Sequence, residues 1–409
     1  MTDINRFKPP HVTLSNWREP EHIKWALRHF SFMPTLDIAR SGPVSEMPSA
    51  PRTDVEAFRF EHAGCETTLL DALHGDSVDG YIVIKDGKVL YERYFGAFQS
   101  HDKHLWASAT KSIIGSLFGI LVSDFGVDLS RSPADYVMQL EGSAFASMSL
   151  RQMLNMVSAL EFTEEYDDMV PGSVHLEYFR RLGLVPAWDL MQSDPRQDFT
   201  PRGARGYLPV FQQNPALEIG NTFEYHSPNV DVAGWVIEAV TQMPLVEFVR
   251  TYLWSELETE HDAFMSADTE FNPIATGGFN STLRDAARVG LMALNEGRCG
   301  DRQIIDGNWM ADTYALTEQD RAAWQNSVFA DPQAITYMPD YEGYRSFWWI
   351  CDANKGERAA MGIYGQMVYV NKSTNTVIAS FSSPNYVSNV RRPSFKAVVR
   401  GNRALAAAL

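Results

Sequence analysis

The chain of 409 residues carries 35 Lys and Arg against 51 Asp and Glu, a formal charge of −16, with 45% hydrophobic and 21% charged residues. This is the composition of a globular protein with a large core, and its acidic balance argues against the clustered cationic surface that nucleic acid or an anionic membrane requires. Three scattered cysteines, Cys65, Cys299 and Cys351, form no Cys-x-x-Cys pair, so neither a disulfide framework nor a thiolate zinc site is expected, and the thiols should be buried and inert.

At its start the chain has Asp3, Arg6 and Pro9-Pro10 rather than the apolar run of a secretory signal, and no stretch of about 18 apolar residues follows that could span a membrane. A cytoplasmic protein without membrane attachment is expected. Residues 1–75, broken by Pro20, Pro34, Pro43, Pro48 and Pro51, read as an N-terminal arm packed on the body, with one short helix near 21–29. Tyr81-Ile82-Val83-Ile84, then Asp86-Gly87, then Val89-Leu90-Tyr91 predict a β-hairpin whose turn dipeptide accepts positive φ. Over 112–125 the apolar residues recur at helical spacing almost all round, as in a buried helix that Gly126 ends. Helices and loops follow, with helical segments at 150–160 and 230–253 and a Pro- and Gly-rich stretch between Pro195 and Gly220. Strand chemistry returns at 347–351, 367–370 and 376–381, and a last helix is expected over 393–409. The fold class is therefore α/β (α+β), with a sheet domain from 76–130 and 260–409 built around a helical subdomain at 131–259.

The nucleophile elbow, the zincin helix, the Walker loop and the dinucleotide fingerprint are all absent, which leaves Ser-x-x-Lys. It occurs twice. Ser100 and Lys103 lie in a polar run with no amphipathic helix to position them, whereas Ser108-Ala109-Thr110-Lys111 stands directly before the apolar helix. There Ser108 falls at the helix start and Lys111 one turn on, on the same face. A lysine can take a serine proton only where burial or neighbouring positive charge favours its neutral form, and a buried helix supplies that desolvation. The plainer alternative is a capping serine with an exposed first-turn lysine. Tyr225, in Phe223-Glu224-Tyr225-His226-Ser227-Pro228-Asn229, could relay a proton, or could be a core aromatic beside a capping residue. In Met361-Gly362-Ile363-Tyr364-Gly365-Gln366 the glycines would let a substrate approach a strand edge, the alternative being an ordinary turn.

Taken together, Ser108-x-x-Lys111, the Tyr225 loop, the run from Gly277 to Gly290 and the final Gly-rich strand stand in the order seen in serine β-lactamase-like hydrolases. This chain resembles that superfamily over roughly residues 76 to 385, and especially its 6-aminohexanoate-dimer hydrolases. The resemblance implies an antiparallel sheet flanked by helices, with Ser108, Lys111 and Tyr225 as catalytic residues, the backbone N–H groups of Ser108 and Ile363 as oxyanion site, and Gly362 beside them in the substrate-binding strand end. It also implies that Tyr166 bonds the scissile amide and that Trp349 closes over the substrate; burial in the core is the alternative for both. Two departures from penicillin-recognising members argue against β-lactam turnover: Ser227 replaces the Asn of Tyr-x-Asn, and no Lys-Thr-Gly or His-Thr-Gly precedes Gly365. A hydrolase of a small-molecule linear amide is expected, without metal or organic cofactor. A carboxylesterase or acyltransferase and a catalytically silent binding protein are the alternatives, and homodimerisation is left open.

Overall fold

The computed structural model describes residues 11–164, 172–185 and 203–409. Its centre is a seven-stranded antiparallel sheet, in the order Gly343–Arg345, Trp348–Asp352, Glu357–Gly362, Gln366–Asn371, Thr376–Ser382, Val78–Lys85 and Lys88–Tyr94. The seam between the distant parts of the chain is Thr376–Ser382 against Val78–Lys85, with Tyr81 opposite Ser380 and Ile84 opposite Val377. These strands are buried on both faces, which explains why they read as continuous apolar runs rather than alternating ones. The hairpin forms at the predicted dipeptide, where Asp86 and Gly87 have φ of 52° and 73°.

Helices cover both faces. On one, Gly290 of the helix Leu283–Leu294 comes so near the sheet that a Cβ would meet the Val377 and Val368 side chains at 2.6 and 2.8 Å. On the other, the terminal helix Pro393–Ala408 presents Asn402, which accepts a hydrogen bond of 2.5 Å from the Tyr81 hydroxyl. Tyr81 and Ile84 are three residues apart on one strand, so they point to opposite faces. Among the described residues from 131 to 259 no sheet strand occurs, only the isolated bridge Leu160–Gln213.

A second antiparallel sheet orders Thr35–Ile38, Ala263–Ser266, Phe279–Ser281 and His104–Leu105. It fastens the N-terminal arm to the segment that ends just before Ser108, and the Leu105 amide also donates to the Leu27 carbonyl at 2.8 Å.

Three expectations are corrected. The helix at 150–160 is only Leu150–Leu154: a capping box of Ser149 and Gln152 starts it, and Met156 at φ 53° turns the chain away. The segment 230–253 is broken into Pro228–Thr241 and Leu245–Val249, the latter running on as the π-helical stretch Arg250–Trp254, because Gln242 adopts φ 55° and Pro244 cannot continue the ladder. Of the cysteines only Cys351 is buried; Cys65 is exposed, since its short hairpin, Arg59–His62 with Cys65–Thr68, leaves one side to solvent. Among the described residues no single helix is long and apolar enough to cross a membrane.

Candidate active site

The segment before the motif is pinned by the Trp106 amide, which donates to the Phe279 carbonyl at 2.8 Å. Ala107 then takes φ 46°, a left-handed conformation unfavourable to a side chain, and the 3-10 turn Ala107–Ala109 leads into the helix Thr110–Phe125. Thr110 holds this corner: its hydroxyl donates to the Ala107 carbonyl at 2.7 Å and accepts from the Phe279 amide at 3.2 Å. Ser108 is left partly accessible at the turn while the helix beyond it is buried.

Lys111, 1% exposed, donates to Ser108 Oγ at 2.9 Å and to the Thr276 carbonyl at 2.8 Å. Burial pulls its ammonium down to about 8, against the opposing pull of the Glu164 and Asp231 carboxylates. Asp231 in turn fixes Thr276, accepting from its amide at 2.9 Å, and takes a second hydrogen bond from the buried Tyr178 hydroxyl. Burial raises the Asp231 carboxyl to about 6. Ser100 and Lys103 take no part: Ser100 is exposed and the Lys103 ammonium lies over the Phe264 ring at 5.6 Å.

Tyr225 lines the same cavity as Ser108, and its ring lies 5.1 Å from the Lys111 nitrogen. Burial, then Glu164, push its phenol well above the ordinary range, with Ser108 opposing, so it stands as a neutral phenol at physiological pH. Trp349 stacks on Tyr225 at 5.4 Å, and Tyr344 meets both rings edge-on at 6.0 and 5.2 Å. Trp349 thus backs the phenol and also lines the cleft. His226 is buried and drawn down to about 4, leaving a neutral ring that bonds Ser158 Oγ at 3.1 Å.

The glycine-rich strand end closes the site. A Cβ on Gly362 would stand 2.2 Å from the Trp106 carbonyl oxygen, so glycine is what allows the strand to lie on the nucleophile turn. Asn389 clamps the following corner, donating to the Gly362 carbonyl at 2.6 Å and accepting from the Gly365 amide at 2.9 Å, while Tyr364 and Gly365 take φ of 64° and 89°. Ile363 is placed beside Ser108, and both residues line two cavities. The smaller is walled mainly by apolar side chains; the wider is lined by Tyr225, Trp349, Glu164 and Glu224.

Ser108, Lys111, Tyr225, Gly362, Ile363 and Trp349 are therefore gathered in one place, and Tyr166 lies outside the described residues. Glu164, Asp231 and Thr276 were not singled out from sequence. Glu164 accepts from the Ser227 amide at 2.7 Å and its hydroxyl at 2.6 Å, filling with a carboxylate the region where Tyr-x-Asn would put an amide. Asn229 points elsewhere, donating to Met153 and Ser158. Among the described residues the one carboxylate and imidazole group close enough for a cation, Glu19, Glu21 and His22, lies on the arm with both carboxylates exposed.

A family model described as Beta-lactamase matches residues 72–400, so all but the last four residues of the arm precede it. A 6-aminohexanoate-dimer hydrolase from Paenarthrobacter ureafaciens is 29% identical over 374 residues, 91% of this chain and 88% of that protein. A solved structure provisionally assigned as a 6-aminohexanoate-dimer hydrolase from Bacillus anthracis superimposes with a TM-score of 0.82 at 23% identity, over 97% of this chain and 96% of that one. A hydrolase with promiscuous acyltransferase activity gives a TM-score of 0.57 at 15% identity, over 81% of this chain and 97% of that one. The two structural likenesses speak for the fold.

Proposed function

The chain belongs to the Beta-lactamase family as a serine hydrolase of that superfamily, and from this we propose that it cleaves short linear amides through an acyl-enzyme on Ser108. The observation that carries the reading is the buried Lys111 nitrogen 2.9 Å from Ser108 Oγ, brought down to about 8 by its surroundings. The 29% identical relative named as a 6-aminohexanoate-dimer hydrolase supports the amide class.

Neutral Lys111 takes the Ser108 proton as Oγ attacks the carbonyl carbon, and the Ser108 and Ile363 N–H groups hold the developing oxyanion. Tyr225, a neutral phenol near Ser108 and Lys111, passes a proton to the departing nitrogen and recovers one from Lys111, so the amine leaves neutral and both residues are restored. Water then attacks the acyl-enzyme, giving its proton back through the same pair, and the acid is released. Tyr166, by the family resemblance, steers the amide nitrogen, and Trp349 forms a wall over the bound substrate. The free cysteines accord with a reducing, cytoplasmic setting.

Turnover of the linear 6-aminohexanoate dimer, of simple linear amides and of short p-nitrophenyl esters tests this, with Ser108→Ala as control. Amide hydrolysis that falls at least about 10³-fold in the variant is expected. Ester turnover without amide turnover would make the protein a carboxylesterase, and activity that survives Ser108→Ala would remove the acyl-enzyme altogether.

A further inference from the structure

Ser108 stands between two cavities of different chemistry. The wider one is lined by Tyr225, the smaller one is not. A departing amine needs the proton that Tyr225 supplies in the function proposed above, on which this argument rests, so the leaving group must exit on the Tyr225 side. In the tetrahedral intermediate the acyl substituent and the leaving group diverge from one carbon, and the acyl chain is thereby directed into the smaller cavity.

Among the described residues that cavity is walled by Leu105, Ile274 and Tyr364 from the body, and by Trp17 and Phe30 from the arm. The arm is firmly seated there. Trp17 is 5% exposed, meets Phe30 edge-on at 5.3 Å and Tyr364 at 6.1 Å, and donates from Nε1 to the Leu184 carbonyl at 3.3 Å. Pairing of Thr35–Ile38 with Ala263–Ser266 and the Leu105 bond to Leu27 hold it against the nucleophile turn. Of its polar lining, Ser227 is engaged by Glu164 and the Thr276 carbonyl by Lys111, Arg18 borders the cavity from the arm, and among the described residues the buried Ser266 and Thr276 hydroxyls have no hydrogen-bond partner.

We infer that the N-terminal arm, most of which precedes the family match, completes an acyl-chain subsite in which Trp17 and Phe30 select an aliphatic acyl group by its length. The arm is thus a specificity element of this hydrolase rather than a strap.

The test compares kcat/KM for p-nitrophenyl acetate, butanoate, hexanoate and octanoate in wild type, Trp17→Ala and Trp17→Phe, with Ser108→Ala as blank. Since one buried methylene is worth about fourfold, the octanoate-to-acetate ratio should rise at least about tenfold in Trp17→Ala as the wall recedes, and much less in Trp17→Phe. The ratio is internal to each variant, so a lower yield of folded enzyme does not alter it. Esters that differ only in leaving-group size should keep their wild-type ratios in Trp17→Ala. An unchanged acyl ratio, or a change in leaving-group preference instead, would overturn the inference. Absence of any Ser108-dependent turnover in wild type would instead strike the acyl-enzyme reading itself.

Discussion

The backbone of Gly362 packs directly on that of Ser108: a Cβ on the glycine would fall 2.9 Å from the serine amide nitrogen and 3.0 Å from that of Ala109. Backbone atoms cannot swing aside as a side-chain tip can, so Gly362→Ala must push the strand end from the nucleophile turn and spread the Ser108 and Ile363 N–H groups. We expect kcat/KM to fall about 100-fold or more, the scale of one lost oxyanion donor, with a stability loss of roughly 1 to 3 kcal/mol from overpacking. Steady-state rates and thermal melts of the variant check this, and wild-type kinetics in Gly362→Ala would refute the oxyanion assignment.

The Lys111 ammonium, lowered from 10.5 to about 8, has a kinetic and a thermodynamic consequence. Its base form grows in as pH rises, so log kcat/KM should climb with a slope near one up to about pH 8 and then level off. Below about pH 8 the folded chain carries a buried cation, while between about 8 and 10.5 the unfolded chain holds a proton the folded one lacks, so this residue makes stability rise with pH across that window. Lys111→Met should therefore be inactive yet more stable at pH 7, on the order of 1 to 2 kcal/mol, with the advantage shrinking toward pH 10. Paired denaturation curves at the two pH values decide it.

Glu164 raises the Lys111 value by its charge. Glu164→Gln removes that charge, so the acidic limb of the pH profile should move to lower pH. A limb that stays in place, or moves upward, would show that Glu164 does not act on the general base.

Penicillins and cephalosporins should be poor substrates. Their carboxylate would meet Glu164 bonded to Ser227, where penicillin-recognising relatives have an amide, and Gly362-Ile363-Tyr364 stands before Gly365 in place of a Lys-Thr-Gly grip. Nitrocefin turnover matching that of the best amide or ester would contradict this.

Tyr166→Phe separates the two leaving groups. An amine leaves less readily than an alcohol, so if the Tyr166 hydroxyl steers the amide nitrogen as proposed, its loss should lower amide kcat about 10- to 100-fold and leave ester turnover nearly unchanged. Equal losses on both substrates would assign Tyr166 to packing or to the shared acylation step.

Much of the frame was legible from local pattern. Asp86-Gly87 sets a hairpin because both residues accept positive φ, and the runs at 367–370 and 376–381 form strands because β-branched and aromatic side chains fill a sheet buried on both faces. Ser-x-x-Lys before an apolar helix implies a lysine one turn behind a serine, since helical spacing alone places them together. Where helices stop was less legible, as at Asn155 and Gln242, because each end depends on one residue adopting a turn its type only weakly prefers. The apolar helix already pointed to a desolvated lysine, but what sets its proton affinity was not legible. Its depressed proton affinity comes from burial by distant parts of the chain, its carbonyl partner Thr276 is 165 residues away, and Glu164 and Asp231 reach it only through the assembled tertiary structure. The same holds for Trp17 beside Ser108: backbone periodicity is written within a few residues, whereas desolvation, charge and cavity shape are properties of neighbours in space, and those exist only once the chain has folded.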